Sequence, residues 1–418
     1  MTSPSILIAG ASIAGPVLAY WLRRYGMNPV VVERAPDLRL GGQTVDLRGA
    51  GKDVVYRMGL ERQVHERTTR EEGIHFLDES GQIRASLGAD DFGGEGPIAG
   101  VEILRGELAS MLYEHTRHET EYLFGDRVES LHQEDDKVQV RLLNGGERTF
   151  DLVIAADGTR SKTRDLVFGA GTELRFLGGY AAYFTIPRVD SDGTWARACA
   201  LPDGRSVLLR PDNLGTTRAL LTYLSSNPGH DKLDPRAQKD MLQRLFAHAG
   251  WETPRVLAEM EHSPDFYLQG ITQIRMPCWS RGRVAVVGDA AYAPSGVTGM
   301  GTTLALVGAY ILAGELARYR DSHQAAFASY EALMRPYVTR TQHLPPGIPR
   351  LANPRTRLGI KVFHSVLRSA THPLVTRALG KVLRPPADTL QLPDYSALDR
   401  RAAAFERAED AEGVSAGA

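Results

Sequence analysis

Residues that let a backbone approach a ligand closely are concentrated late in the chain, in the segment 288–301. Its distinctive positions are one acid, one proline and four glycines, namely Asp289, Pro294, Gly288, Gly296, Gly299 and Gly301. Such a backbone can press against a flat, charged ligand because few side chains stand in the way. A short apolar strand at 283–287 precedes the segment and a helix of small residues follows it. The pattern therefore predicts a ligand-binding turn rather than a flexible surface loop.

A second glycine turn lies near the start of the chain, between a predicted strand at 5–9 and a predicted helix at 16–25. Its residues are Gly10, Ala11, Ser12, Ile13, Ala14 and Gly15. Gly10 permits a tight turn and Gly15 lets the helix and strand pack closely, so that the helix N-terminus faces a pyrophosphate. Ser12 replaces the second glycine of the usual fingerprint, and its hydroxyl is a candidate phosphate ligand.

An acid follows this turn at the expected place. Glu33 ends the next predicted strand, at 29–33, which suits a hydrogen bond to a ribose hydroxyl, and Arg34 beside it is a further candidate cofactor contact. An ordinary strand–helix junction is the alternative interpretation. The order of strand, turn, helix and acid favours a dinucleotide-binding unit instead.

Two such turns at opposite ends of one chain predict a single long cofactor held at both ends, and FAD has that shape. Asp289 would accept a hydrogen bond from a ribityl or ribose hydroxyl. Pro294 and the backbone of Gly299, Met300 and Gly301 would lie near the flavin ring. Backbone N–H groups there are candidates to bind its carbonyl edge.

A third motif, Asp157-Gly158, ends a predicted buried strand at 151–155, and Arg164 follows it. Asp-Gly alone is a common turn. Its occurrence beside the other two motifs indicates a third cofactor-binding segment.

The elements that must position these motifs predict an α/β fold, with a Rossmann-like FAD-binding domain, an inserted mixed or antiparallel-sheet substrate domain and C-terminal helices. We expect the FAD-binding domain at 1–72, 101–172 and 275–340, the substrate domain at 73–100 and 173–274, and a linker, helix and tail at 341–418. The predicted elements include a hairpin at 73–87, a loop at 90–100, helices at 105–116, 235–249, 254–261 and 303–340, and a helix near 356–384.

Together the three motifs resemble those of the class A flavoprotein aromatic hydroxylases, which have the para-hydroxybenzoate hydroxylase fold. The resemblance covers roughly residues 1–340, with the motifs in the family's order. The segments 42–49 and 104–108 are similar to the tetracycline-oxidising and polyketide-tailoring branch. Tyr292 stands where many members have His, and Thr302-Thr303 stands where many have Asn.

The resemblance implies roles for individual residues. Glu33 would hold the adenosine ribose, and Arg105 and Asp289 the diphosphate–ribityl part. Arg48 would lie near the ring system and is the candidate catalytic residue, although a plain ion pair with Asp46 is an alternative. Asp157 and Arg164 would support FAD or the pyridine nucleotide.

The resemblance also implies an activity: an FAD-dependent monooxygenase that uses NAD(P)H and O2 to hydroxylate an aromatic or polycyclic small molecule. We hypothesise that NAD(P)H reduces FAD and leaves, and that O2 then forms a flavin C4a-hydroperoxide that delivers one oxygen atom to the substrate. No second G-x-G-x-x-G marks a separate NADPH domain, so the nicotinamide is expected to bind transiently. The substrate would be a secondary metabolite or an antibiotic.

Other functions fit the same fold. A flavin-dependent halogenase is disfavoured because its W-x-W-x-I-P motif is absent. An FAD-dependent reductase or dehydrogenase would turn over without forming a hydroperoxide. A non-catalytic flavin-binding sensor or scaffold is disfavoured because all three cofactor segments are retained.

Composition excludes further classes. The chain has 418 residues, a net charge of −1 and no dominant basic patch, which disfavours nucleic acid as a partner. No signal peptide or long apolar span is evident, so we expect no membrane partner. The two cysteines form no evident framework, which favours a cytoplasmic protein. We expect a monomer or weak homodimer. His115 and His118 have a metal-binding spacing but no third ligand, and we predict a solvated helix face and no metal site.

Overall fold

The computed structural model describes residues 3–92, 101–344, 347, 350, 353–370 and 390–399. Most of the predicted loop at 90–100, part of the linker after 344, the predicted helix beyond 370 and the tail after 399 lie outside these residues.

Strands in the described ranges alternate with helices in the first part of the chain and then follow one another directly. In chain order they are β1 (Ser5–Ala9), β2 (Asn28–Glu33), β3 (Thr44–Asp46), β4 (Gly73–Leu77), β5 (Ile83–Gly88), β6 (Glu102–Leu104), β7 (Glu121–Phe124), β8 (Val128–Gln133), β9 (Val138–Leu142), β10 (Gly146–Phe150), β11 (Leu152–Ala155), β12 (Glu173–Pro187), β13 (Ala196–Leu201), β14 (Arg205–Pro211), β15 (Thr216–Leu224), β16 (Tyr267–Arg275), β17 (Ser280–Arg281) and β18 (Val284–Val286).

Helices of the same ranges are α1 (Ala14–Arg24), α2 (Gly49–Arg57), α3 (Glu61–Glu66), α4 (Arg105–Thr116), α5 (Lys162–Phe168), α6 (Pro235–Phe246), α7 (Thr253–His262), α8 (Asp289–Tyr292), α9 (Gly301–Arg318), α10 (His323–Gln342) and α11 (Arg357–Ala370). Within the part of the chain that the structure describes, no helix combines the length and the apolar character that crossing a membrane requires.

A six-stranded sheet has the order β17-β18-β11-β1-β2-β7, and all its pairs are parallel except β17–β18. Its central strands are apolar on both faces, as parallel strands covered by helices must be. Ile6, Leu7 and Ile8 of β1 are fully buried. The carboxyl ends of β1, β11 and β18 lie at one edge, where ligands bind in open α/β sheets, and each is followed by one of the three predicted motifs.

A seven-stranded mixed sheet has the order β16-β12-β15-β14-β13-β4-β5, and only β13–β4 is parallel. Alternate residues of β12 and β15, among them Phe184 and Leu221, pack with α6 and α7 into a separate core. Because side chains alternate along a strand, the residues between them, such as Tyr183 and Leu220, face the other side of the sheet. The α/β fold class and the inserted sheet are therefore confirmed.

Two small sheets complete the fold. β8, β9 and β10 form an antiparallel meander, and β3 pairs with β6 in a two-stranded ribbon in which Asp46 lies opposite Glu102. At the end of the described chain, Tyr395 is buried and donates a hydrogen bond to Glu315 of α9.

Several elements differ from the prediction. No prediction from the sequence covered α2, α3 or β7, which are short elements. The predicted helical region at 303–340 is two helices, α9 and α10. α6 ends at Phe246 instead of extending to 249.

Candidate functional site

The dinucleotide turn has the close packing that its glycines predict. A Cβ on Gly15 would lie 1.9 Å from the carbonyl oxygen of Gly10, and a Cβ on Gly10 would lie 2.5 Å from that of Ala156. Gly10 also has a φ of +113°, which side chains rarely adopt. The turn is thereby pressed against the end of β11. No side chain caps α1, so its first N–H groups are available to an anion.

The turn at Gly288 contacts the dinucleotide turn near the start of α1. A Cβ on Gly288 would lie 3.2 Å from the Cβ of Ala14 in α1 and 3.6 Å from that of Ala305 in α9. The predicted pyrophosphate turn and the predicted ring-binding segment are therefore in contact, although they stand at opposite ends of the sequence.

Glu33, Ser12 and Arg105 surround the turn. The Glu33 carboxylate accepts hydrogen bonds from the backbone N–H of Ala11 at 3.0 Å and that of Ala35 at 2.9 Å. Arg105 donates to Ser12 Oγ at 3.0 Å and to the backbone oxygen of Arg39 at 3.0 Å. Arg105 is half-buried, and burial lowers its pKa. Arg34 is exposed. A guanidinium at a phosphate-binding turn is suited to a diphosphate.

Asp289 is the first residue of α8, directly after the turn at Gly288. Its side chain is exposed to solvent, yet surrounding protein desolvates it and raises the pKa of its carboxyl group to about 6. A Cβ on Gly301, at the start of α9, would lie 3.7 Å from Asp289 Oδ1.

Asp157 and Arg164 face the protein. Asp157 accepts hydrogen bonds from Ser161 Oγ and from the backbone N–H of Thr163 at 3.2 Å, while burial raises its pKa. Arg164 is buried and donates to the backbone oxygens of Thr159 and Ala290, each at 3.1 Å. These bonds join the turn at Gly158 to the turn that carries Asp289.

The loop between Pro294 and Gly301 has an unusual backbone conformation. Ser295 has a φ of +84°, an uncommon value for a residue with a side chain, and its buried hydroxyl has no hydrogen-bond partner among the described residues. Gly299 is left-handed, and Met300 precedes α9, whose N-terminus no side chain caps. Free N–H groups at the start of an 18-residue helix suit an electron-rich ring edge.

Tyr292 does not point into this loop. Its hydroxyl lies 3.0 Å from that of Tyr330, which in turn donates to the backbone oxygen of Val286 at 3.1 Å. A Cβ on Gly308 of α9 would lie 1.9 Å from the Tyr292 hydroxyl. Tyr292 therefore holds the underside of the loop against α9 and α10.

Arg48 is buried rather than solvated. Its side chain is 3% exposed and forms a two-pronged ion pair with Asp46, with Nε at 3.0 Å and a terminal nitrogen at 2.9 Å from Oδ2. The same Oδ2 lies 3.3 Å from where a Cβ on Gly299 would be. The ion pair that the sequence offered as an alternative is present, and it adjoins the predicted ring loop.

Two tyrosines of the seven-stranded sheet, on its face away from α6 and α7 (the open face), lie near this loop and near Arg105. The rings of Tyr183 and Tyr267 are stacked, with centroids 4.9 Å apart and planes at 20°. The Tyr183 hydroxyl lies 3.5 Å from where a Cβ on Gly296 would be, and Tyr267 is close enough to Arg105 for their charges to interact. Burial raises the pKa of Tyr183 to about 12. Other aromatic residues of this region lie elsewhere: Phe184 and Tyr223 lie in the core shared with α6 and α7, and Trp195 stacks on His75.

The sequence did not predict a buried charged cluster that lies on the same face of this sheet as Tyr183. Arg210 of β14 is bonded to both Glu71 and Glu102, at distances of 2.7 to 2.9 Å. A charged residue at the end of an apolar strand, as in Val207-Leu208-Leu209-Arg210, was the available signal. The partners could not be assigned because they lie more than a hundred positions away.

The sequence also predicts that His115 and His118 form no metal site. His115 is exposed and its ring stacks on that of Tyr20 at 5.0 Å. No cluster of three or more His, Cys, Asp or Glu side chains able to hold a metal occurs in the described ranges.

The donor set fits FAD. An uncapped helix start, an arginine and a small-residue turn suit a pyrophosphate. The carboxylates of Glu33 and Asp289 are of the kind that accept hydrogen bonds from sugar hydroxyls, and the buried Ser295 hydroxyl lacks a partner among the described residues. The glycine positions leave backbone, not side chains, along the predicted path of the cofactor.

Comparison with known proteins agrees with this geometry. The model of a family described as FAD binding domain matches residues 4–343. A flavin-dependent monooxygenase from an unknown prokaryotic organism is 41% identical over 343 residues, covering 81% of this chain and 87% of that protein. The flavin-dependent monooxygenase eupH of Phoma sp is 36% identical over 431 residues, covering 95% and 99%.

A solved structure is similar over nearly the whole chain. The tetracycline destructase Tet(55) is 35% identical, with a TM-score of 0.78, and the match covers 94% of this chain and 99% of that one.

Proposed function

Because the chain belongs to the FAD binding domain family and is an FAD-dependent aromatic monooxygenase, we propose that it uses NAD(P)H and O2 to hydroxylate a small aromatic or polycyclic molecule. The proposed substrate site is the cleft between the loop 294–301 and the open face of the seven-stranded sheet. One observation carries the proposal: three distant segments meet at one sheet edge, and two stacked tyrosines face their meeting point.

FAD supplies the redox chemistry when it is bound, accepting a hydride from the nicotinamide and activating O2 for transfer of one oxygen atom. The chain positions it. We propose that Gly10, Ser12, Ile13, Ala14 and Gly15 form the pyrophosphate turn, with Arg105 neutralising its charge. Glu33 would then exchange its bond to Ala11 for a ribose hydroxyl, with Arg34 at the solvent side.

At the other end, we propose that Asp289 accepts a hydrogen bond from the ribityl chain. Pro294 and the backbone of Gly299, Met300 and Gly301 would contact the ring. Arg48 and Asp46 adjoin this loop, which supports a ring-proximal role for Arg48. Asp157, Gly158 and Arg164 would act from behind, since Arg164 holds the backbone of Ala290, next to Asp289.

The name of the structurally similar tetracycline destructase supports a fused-ring substrate, an antibiotic or related metabolite. A flat apolar ring stacks well on an aromatic pair, and Tyr183 and Tyr267 offer one. Both hydroxyls are protonated at neutral pH, as phenols ordinarily are, and desolvation raises their pKa values further. The tyrosines therefore present neutral hydrogen-bonding groups at this face.

We also propose a division into domains at the boundaries that the sequence predicts, 1–72, 101–172 and 275–340 against 73–100 and 173–274. Separate sheets and separate hydrophobic cores support it. A cytoplasmic, monomeric or weakly dimeric protein is proposed as well, supported by two cysteines that form no disulfide, Cys199 and Cys278.

Turnover with a panel of fused-ring phenols tests the activity. We expect the purified protein to carry FAD and to consume NAD(P)H faster in the presence of a substrate. Hydroxylated product should match O2 consumed, with one atom from labelled O2 in the product. Product without O2 consumption would instead show a reductase or dehydrogenase. A protein that binds FAD but never consumes NAD(P)H with any ligand would be a sensor or scaffold.

A further inference from the structure

A buried charged cluster joins the seven-stranded sheet to the ribbon of β3 and β6. Arg210 reaches from the open face of the sheet and donates to Glu71 through two nitrogens, each at 2.9 Å. One of these nitrogens also contacts both oxygens of Glu102, at 2.9 and 2.7 Å. The side chains of Glu71 and Glu102 are 1% and 5% exposed, so one guanidinium serves two buried acids.

The ribbon extends the cluster toward the cofactor loop. Glu102 lies directly opposite Asp46 in the β3–β6 register, a spacing at which neighbouring side chains interact. Asp46 binds Arg48 and adjoins Gly299. Starting from the sheet, the charges therefore run from Arg210 through Glu102 and Asp46 to Arg48.

The charges do not balance if every acid is ionised. Arg210, Glu71 and Asp46 are the charged groups that affect Glu102 most strongly, and Arg48 lies one step further, at Asp46. Among these five groups, three carboxylates and two guanidinium groups leave one negative charge. Burial, reinforced by Glu71 and Asp46 and only partly offset by Arg210, raises the pKa of Glu102 to about 8. A neutral Glu102 removes the imbalance.

We propose that Arg210, Glu71 and Glu102 form a buried hydrogen-bonded cluster that positions the Asp46–Arg48 pair beside the ring loop. In this cluster Glu102 is the acid that carries a proton. These three are positioning residues, acting through Asp46 and Arg48. The inference rests on the proposed function for its claim about the ring loop, but not for its claim about the proton.

The first test measures the visible spectrum of the bound flavin between about pH 6 and about pH 9.5. Wild type should show a spectral change with a midpoint near 8, the pKa of Glu102. Glu102→Gln cannot lose a proton and should abolish that midpoint. Arg210→Met should move it upward, because the positive charge of Arg210 lowers the pKa of Glu102. It should also lower kcat about 10- to 100-fold through a displaced Arg48, with a smaller change in KM.

Arg197→Met is the matched control. Arg197 also bridges two acids, Asp192 and Glu252, but on the opposite face of the same sheet. It should reduce stability without moving the spectral midpoint. A midpoint that persists in Glu102→Gln, or an equal shift in Arg197→Met, would overturn the proposal.

The second test does not need the cofactor. A glutamate whose folded pKa of about 8 exceeds its ordinary 4.5 destabilises the fold once ionised, so stability present below about 4.5 is lost as the pH rises through about 8. Urea unfolding should show Glu102→Gln gaining stability relative to wild type across that window. Parallel pH profiles of the two proteins would refute the protonated Glu102. If this difference appears but wild type binds no FAD, the protonation of Glu102 is supported and the proposed function is refuted.

Discussion

The proposed substrate cleft has two walls that differ in composition. The wall at the edge of the six-stranded sheet consists of backbone and small residues, held in contact at Gly10, Gly15 and Gly288. The wall on the seven-stranded sheet consists of large aromatic and charged side chains, including Tyr183, Tyr267 and Arg210. A backbone wall imposes one shape on one ligand, whereas a side-chain wall can be changed residue by residue. The first therefore suits an invariant cofactor and the second a particular substrate.

The backbone wall should tolerate substitution least. In Gly15→Ala the new Cβ would lie 1.9 Å from the carbonyl oxygen of Gly10, and neither strand nor helix can move away without disturbing the core. We expect a loss of about 3 kcal/mol in the free energy of unfolding, together with loss of FAD. Gly171→Ala is the matched control, since no atom lies within 4 Å of its added Cβ. Urea unfolding and flavin content measure both, and equal behaviour of the two variants would contradict the packing argument.

Removing the Asp289 carboxylate should have the next largest effect. Asp289→Ala deletes the proposed acceptor for a ribityl hydroxyl, and a hydrogen bond to a charged group contributes roughly 1.5–3 kcal/mol. FAD should bind about 10- to 100-fold more weakly, as measured by fluorescence titration of the apoprotein. Tyr267→Ala is the contrasting variant from the other wall and should leave FAD affinity nearly unchanged. FAD affinity unaltered in Asp289→Ala would remove Asp289 from the binding site.

The same acid predicts a pH dependence. Desolvation by surrounding protein raises the pKa of Asp289 to about 6 without ligand, and a hydroxyl donor favours the ionised form. FAD affinity should therefore be constant above that pH and fall by up to about tenfold for each unit below it. Asp289→Asn should flatten this profile, since its amide does not titrate. Titrations at a series of pH values test the prediction, and an acid decline that persists in Asp289→Asn would assign it to another group.

The side-chain wall should respond through the substrate alone. Tyr267→Ala removes one ring of the stacked pair, which contributes about 0.5–1.5 kcal/mol beyond its buried area. Substrate KM should rise about tenfold while flavin content stays constant. Tyr267→Phe retains the ring and should behave nearly like wild type. A loss of FAD in Tyr267→Ala would show that the pair belongs to the cofactor wall.

Most of the cofactor wall could be predicted from the sequence because it is local. Gly10 to Gly15, Asp157-Gly158 and Gly288-Asp289 each follow a buried strand directly, and parallel strands bring their carboxyl ends to one edge. The hydrogen-bond partners of the residues in these segments were harder to predict. Arg164, for example, supports the backbone of Ala290 through a bond that no local pattern indicates.

The substrate wall was not predictable in the same way. Alternation along β12 separates Tyr183 from Phe184, but only the position of α6 and α7 decides which of the two faces the core. The same holds for Tyr292, whose inward orientation depends on Tyr330 of α10.

The α/β fold and the cofactor follow from the order of residues along the chain, because glycine spacing and strand–helix order act over short distances. The contacts of Arg210 with Glu71 and Glu102, and of Asp46 with Gly299, depend on the folded structure instead. Those contacts join residues far apart in the chain, and the raised pKa of Glu102 depends on how deeply the fold buries this acid beside Glu71 and Arg210.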